Sequence, residues 1–299
     1  MNWLRRHVVA VAIVLIAAAL GVAAGSGFIG NHFGTGGADR RANNKLSDQV
    51  DQLQGQLRQQ DDFIGVLAGR ALAGSLKDKS VLIITTPDAS AGDVSAVSDR
   101  IGQAGGRISG RLQLTDALLA DQQSAKLDTI IDQSIPPGGA LRTDLTDSGG
   151  RLGDLLGLLL QNSQASATAQ SAALEALSQG GFIALPANPV APGQLAVVLT
   201  GGRYADDSGA RGQVAARFAA GLAGRSAGTV LAGSTGSADA GSPVAVARRD
   251  LAGAPHLSTV DDVDRLSGQV TVALALSAAV NGATSDYGTG AGARAPAPK

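Results

Sequence analysis

Two short runs of apolar, mostly β-branched or leucine residues constrain the fold more than any other feature. SVLIITTPDA begins at Ser80 and LAVVLTGGR at Leu195. Each run is continuous rather than alternating, as in a strand buried on both faces of a parallel sheet. Each then breaks into Thr, Pro, Asp or Gly and passes into residues spaced for a helix. After the first come Val94, Val97 and Ile101, then Gly105-Gly106, then a strand through Ile108, Leu112 and Leu114. After the second come Val214, Phe218 and Leu222, then the strand GTVLAGS, 228–234. Strand, helix, strand given twice predicts a wound, mainly parallel α/β domain over 78–283, with two halves of similar order.

Between and after these halves the patterns are plainer. Residues 117–134 predict a helix stopped by Pro136-Pro137-Gly138-Gly139, and RLGDLLGLLLQ predicts a strongly apolar one. The Ser/Ala/Thr-rich stretch 162–172 reads as a flexible connection, 172–179 as a helix and Phe182–Leu185 as a short strand. QVTVALALSAAVNG predicts a strand running into a short helix. The Gly-, Ala- and Pro-rich tail 284–299 predicts disorder.

Ahead of the domain, residues 8–30 carry no charged side chain, and Arg5 and Arg6 stand just before them. About 23 helical residues span roughly 34 Å, enough for a bilayer core of about 30 Å. The small residues Gly21–Gly25 resemble a processing site, so a secretory signal competes with an anchor. Both place residues 1–7 in the cytoplasm and the bulk outside. We favour the anchor, because a polar linker, 31–44, leads at once into a heptad pattern over 45–74. Leu46, Val50, Leu53, Leu57, Gln60, Ile64, Leu67 and Ala71 alternate in steps of four and three. That is a coiled-coil seam with one polar member, suited to self-association or to a partner helix. The bland alternative is an amphipathic helix packed on its own domain.

Composition excludes several classes. Net charge is −1 and no basic run occurs, which argues against nucleic acid. Aromatics at 3% and several helical patterns argue against an outer-membrane β-barrel. There is no cysteine, one methionine and three scattered histidines, which argues against a tight copper site built by one chain. No GxSxG elbow, phosphate loop or dinucleotide fingerprint is present, and no acid–base–nucleophile set converges, so the chain is read as non-enzymatic. The candidate ligand edge lies where the strands end, at Thr85, Asp88, Thr200 and Asp262. Asp261, Asp262 and Asp264 form the densest acidic cluster, suited to a hard cation or, more commonly, to a turn.

LRRHVVAVAIVLIAAALGVAAGSGF, RALAGSLKDKSVLIITTPDA, IGQAGG, LSTVDDVD with QVTVALAL, and YGTGAGA occur in this order along the chain. On these segments the sequence resembles the actinobacterial copper-transport outer-membrane protein family, MctB-like, also called SteB. The resemblance implies a role in copper transport or homeostasis, with copper the only metal it suggests. An alternative also attached to the family is a coiled-coil partner and activator of a septal peptidoglycan hydrolase in cell separation, paired with a second membrane protein. No metal ligand carries over to a residue of this chain. The coil role carries over only to the seam, Leu46 to Ala71.

Overall fold

The computed structural model describes residues 38–120, 123–161 and 165–299. The cytoplasmic tail, the segment 8–30 and the start of the linker lie outside the described residues. The chain divides into two compact units at Ala68/Gly69.

The first unit contains most of one helix, α1 (Ala38–Leu72). At 1.5 Å per residue its 35 residues extend about 52 Å. All eight seam positions lie on it. The helix begins inside the stretch read as linker.

The second unit is the α/β domain. Its elements follow in the order β1 (Ser80–Thr85), α2 (Ala91–Gln103), β2 (Arg107–Leu114), α3 (Asp116–Leu119) and α4 (Ser124–Gln133). Then come α5 (Ser148–Leu160), α6 (Ala167–Gln179), β3 (Ile183–Ala184), β4 (Leu195–Thr200) and α7 (Arg211–Ala223). The last are β5 (Gly228–Gly233), α8 (Pro243–Asp250), β6 (Leu257–Val260), α9 (Leu266–Val280) and β7 (Asp286–Tyr287). The sheet order is β3-β2-β1-β4-β5-β6-β7, parallel except for β3 on β2. This is a doubly wound order, whose direction of winding reverses between β1 and β4.

The continuous apolar runs are buried on both faces, as expected. Leu82 and Ile84 join a cluster with Leu152, Leu155, Phe218 and Leu222 from α5 and α7. Val81 and Ile83, pointing the other way, are equally inaccessible. That other face is covered by α2 and α9, which pack on each other. The chain just after α1 is fixed to the same face. Leu72 and Leu76 are fully buried, Leu76 N–H donates to the Ala104 carbonyl at 2.9 Å, and Ser277 Oγ donates to the Ser75 carbonyl at 3.1 Å. At this end Leu72 is buried while the seam residue Ala71 is exposed.

α5 is buried along nearly its whole length because it lies directly on α7. Gly149, Gly153 and Gly157 recur every four residues and let the two backbones meet. A Cβ at Gly153 would overlap the Phe218 carbonyl oxygen, and one at Gly157 would stand 2.6 Å from Arg225 Cβ. Asp154 sits in this contact with no exposure. It accepts from Arg225 Nε at 2.7 Å, Arg225 Nη2 at 2.8 Å and the Arg142 N–H at 2.8 Å. The lone carboxylate of an apolar helix thus joins α5, the end of α7 and the loop before α5.

Four expectations are corrected. QVTVALALSAAV is one helix, α9, rather than a strand and a short helix. Gly268, Val270, Thr271, Val272, Ala273, Ala275, Leu276 and Ala279 are buried, so the apolar character reflects burial on several sides and not a strand. The 117–134 helix is two helices, α3 and α4. The stretch 162–172, expected to be a flexible connection, is helical from Ala167 in α6, whose start is capped by Ser166 Oγ accepting from the Ala169 N–H at 3.2 Å; residues 162–164 lie outside the described residues. The tail from Thr284, which composition alone marked as disordered, supplies β7 and an anchored loop, because buried charge replaces the apolar surface it lacks. α8, with Pro243 at its first turn, was not anticipated.

Candidate functional site at the carboxyl edge of the sheet

Parallel strands end on one edge, so the loops after β1, β4, β5, β6 and β7 converge there. In wound sheets this edge, at the reversal of winding, is the usual ligand crevice. Here the reversal lies between β1 and β4, and the loops that follow them carry Asp88 and Gly201. Asp88 Oδ2 accepts from the Gly201 N–H at 2.9 Å, and Oδ1 accepts from the Tyr204 hydroxyl at 3.2 Å. A Cβ at Gly201 would run into the Asp88 carboxylate. Tyr204 is buried, and burial, then the neighbouring Asp88 charge, push its phenol well above the ordinary value. Thr86, also buried, donates from its backbone to the Leu199 carbonyl at 2.9 Å. At this crevice the Asp88 carboxylate is engaged by the chain's own donors.

The same device continues along the edge. Ser234 Oγ, after β5, donates to Asp93 Oδ2 at 2.8 Å, and Asp93 lies in the first turn of α2. The Thr235 N–H and hydroxyl donate to Asp264 at 2.7 and 2.8 Å. Asp261, at the end of β6, accepts from Arg248 Nη1 at 2.6 Å and from the Thr289 and Gly290 N–H groups at 2.9 Å each. Arg248 also donates to the carbonyls of Tyr287 at 2.7 Å and Ala291 at 2.8 Å. This ion pair is almost wholly buried, with side-chain exposures of 4% and 2%. It holds YGTGAGA against the sheet, and a side chain at Gly288, whose φ is +124°, would overlap Asp261. Each loop on the edge is therefore stapled to another by a carboxylate that accepts backbone or hydroxyl hydrogens.

Asp262 departs from that pattern. It is 5% exposed, its Oδ2 accepts from Ser267 Oγ only at 3.3 Å, and its Oδ1 has no partner. Burial first, and the Asp261 charge second, raise its pKa from 3.8 to about 6.

Of the four expected edge residues, Asp88 stands at the crevice and Thr85 ends β1 beside it, half-buried. Thr200 is buried, with its hydroxyl 3.5 Å from the Ala232 carbonyl oxygen, and Asp262 lies at the β6 end, away from the other three. Along α1, Ile64 and Leu67 are half-buried. The remaining seam side chains before them lie outside what the structure describes. The sequence pointed to the edge but not to Tyr204, Asp93 or Arg248. The first Arg of the RRD run gave no sign of reaching a loop 39 residues further on. Among the described residues, no three or more His, Asp or Glu side chains are grouped so as to hold a metal ion.

The model of one family, described as "Copper transport outer membrane protein, MctB", matches residues 1–298. The chain belongs to the MctB family. A relative from Mycobacterium tuberculosis H37Rv, named "Copper transporter MctB", is 40% identical over 304 residues, covering 97% of each chain. The relative of the same name from Mycobacterium leprae is 37% identical over 309 residues, with the same coverage. The names of these MctB relatives speak of copper and not of cell separation. Among the described residues no helix is long and apolar enough to cross a membrane. The segment 8–30 lies outside them.

Proposed function

We propose that this chain serves copper transport at the cell envelope as a non-enzymatic protein, anchored through residues 8–30 with residues 1–7 in the cytoplasm. The match to a copper-transport family over residues 1–298 carries the reading. The uncharged run and the arginines before it support the anchor and its direction.

The ion is cargo in this reading, and the α/β domain does not cage it alone. Soft Cu(I) prefers thiolate and thioether, and Cu(II) accepts imidazole. The chain offers no cysteine, Met1 as its one thioether, and His7, His32 and His256, which are far apart in sequence. The carboxylates Asp88, Asp93, Asp154, Asp261 and Asp264 already accept hydrogen bonds from the chain itself. A copper path through this protein is therefore completed by other copies or other envelope proteins.

Cell-associated copper, measured in cells lacking the gene, is expected to differ from the parent and to be restored by the full chain. Unchanged copper content would remove the proposal. Copper titration of the purified full chain in detergent tests the second part. A tight one-to-one site in the monomer would show that no partner is needed.

A further inference from the structure

In α1 the seam residues fall into two classes by position. With Leu53 at heptad position d, the a positions are Val50, Leu57 and Ile64, and the d positions are Leu46, Leu53, Gln60 and Leu67. β-branched residues at a with leucine at d favour two strands over three or four. Phe63, at g beside this seam, is 55% exposed, a large apolar ring left in water at the seam's flank.

We propose that α1 pairs with α1 of a second copy of this chain, as a parallel, in-register, two-stranded coiled coil over Leu46–Leu67. Two observations select this occupant and this direction. The flanking g and e positions are compatible with self-pairing, because Gln49 falls opposite Gln54 and Gln56 opposite Asp61 of the second copy. No like charges face each other across the seam. The other charges, Asp48, Asp51, Arg58 and Asp62, fall at b and f on the outer surface. Gln60 fixes the direction. In a parallel pair d packs on d, so the two Gln60 amides meet and bond each other. In an antiparallel pair d packs on a, which sets Gln60 against Leu57 or Ile64 and leaves the amide unpaired. Val66, at c, stays in solvent.

This inference stands on α1 alone and does not depend on the copper reading. The absence of cysteine makes it directly testable. Gln60→Cys and Gln59→Cys are introduced singly into the full chain, expressed in the cell envelope, and isolated membranes are mildly oxidised. Paired d positions bring the Cα atoms within the 4.4–6.8 Å that a disulfide accepts, whereas c positions point apart. Gln60→Cys is expected to run at twice the 29.7 kDa monomer mass under non-reducing conditions, and Gln59→Cys at the monomer mass. Adding Leu53→Asp and Leu57→Asp is expected to abolish the Gln60→Cys dimer while the melting transition of the α/β domain is unchanged. Three results each overturn the proposal: Gln60→Cys remaining monomeric, equal crosslinking at both positions, or a Gln60→Cys disulfide to a different envelope protein.

Discussion

Asp262 provides the sharpest quantitative test of the structure. A carboxyl group whose pKa is 3.8 unfolded and about 6 folded binds its proton more tightly in the native state. Between those values the native state holds more protons than the unfolded one, so stability falls as pH rises. The contribution is complete below pH 3.8 and lost above pH 6. A shift of about two units at about 1.4 kcal/mol each amounts to about 3 kcal/mol. Exposure of only 5% leaves little solvent screening to reduce it. The perturbation is Asp262→Asn, which cannot ionise. Its amide carries a fixed cost or gain from its own hydrogen bonds, so the diagnostic quantity is the change with pH and not the offset. The stability difference, variant minus wild type, is expected to move in the variant's favour by about 3 kcal/mol between pH 4 and pH 7.5. For a domain of this size that is roughly 6–10 °C in relative Tm. Calorimetric or circular-dichroism melts of both proteins across that range measure it. A difference that stays flat from pH 4 to 7.5 would refute the argument, since Asp262 would then not be a desolvated carboxylate with one oxygen unpaired. A change concentrated below pH 4 would assign the pH dependence to ordinary exposed acids.

Three further perturbations address the ion pair at the edge, the α5–α7 contact and the α1 helix. Asp261→Ala leaves Arg248 buried without its counterion and is expected to cost about 3–5 kcal/mol. It should also free the C-terminal loop, so that trypsin cuts after Arg294 faster than in wild type; an unchanged cleavage rate would contradict the anchoring role of the ion pair. Gly153→Ala forces α5 away from the Phe218 carbonyl and is expected to destabilise by about 2–3 kcal/mol or more in urea unfolding. Gly69→Ala, in α1 with open space where its Cβ would be, is expected to stabilise by about 0.5–1 kcal/mol in the same assay.

How much of this was legible in the sequence follows from the range of each interaction. VLIIT and LAVVLT declare themselves as buried strands because the signal is local, and the strand–helix–strand order around each then suffices for a wound sheet. α9 misled because QVTVALAL alternates like a strand, while a long run that stays apolar to Val280 is a better sign of a helix buried on several sides. The tail was misjudged for a different reason. Its composition cannot bury apolar surface, but YGTGAGA exposes backbone N–H groups that Asp261 and carbonyls that Arg248 can bind, and no local pattern announces a partner 39 residues away. Asp154 lies between these cases. A single acid inside RLGDLLGLLL marks a buried ion pair, yet its main partner, Arg225, is 71 residues distant.

Asp261 and Asp262 show where sequence reasoning ends. They are neighbours of identical chemistry, both buried at the end of β6, and side by side they suggest a single acidic site. Their carboxylates nevertheless meet different groups. One meets Arg248 and two backbone N–H groups, and its charge is compensated. The other meets Ser267 and the close approach of Gly268, and its charge is not. The pair is therefore not a cation site waiting for a ligand but one staple and one buried, poorly compensated neighbour. That distinction supports reading the carboxyl edge as a structural rim held by internal hydrogen bonds, and it directs the search for copper contacts toward assemblies of the whole chain rather than toward this crevice.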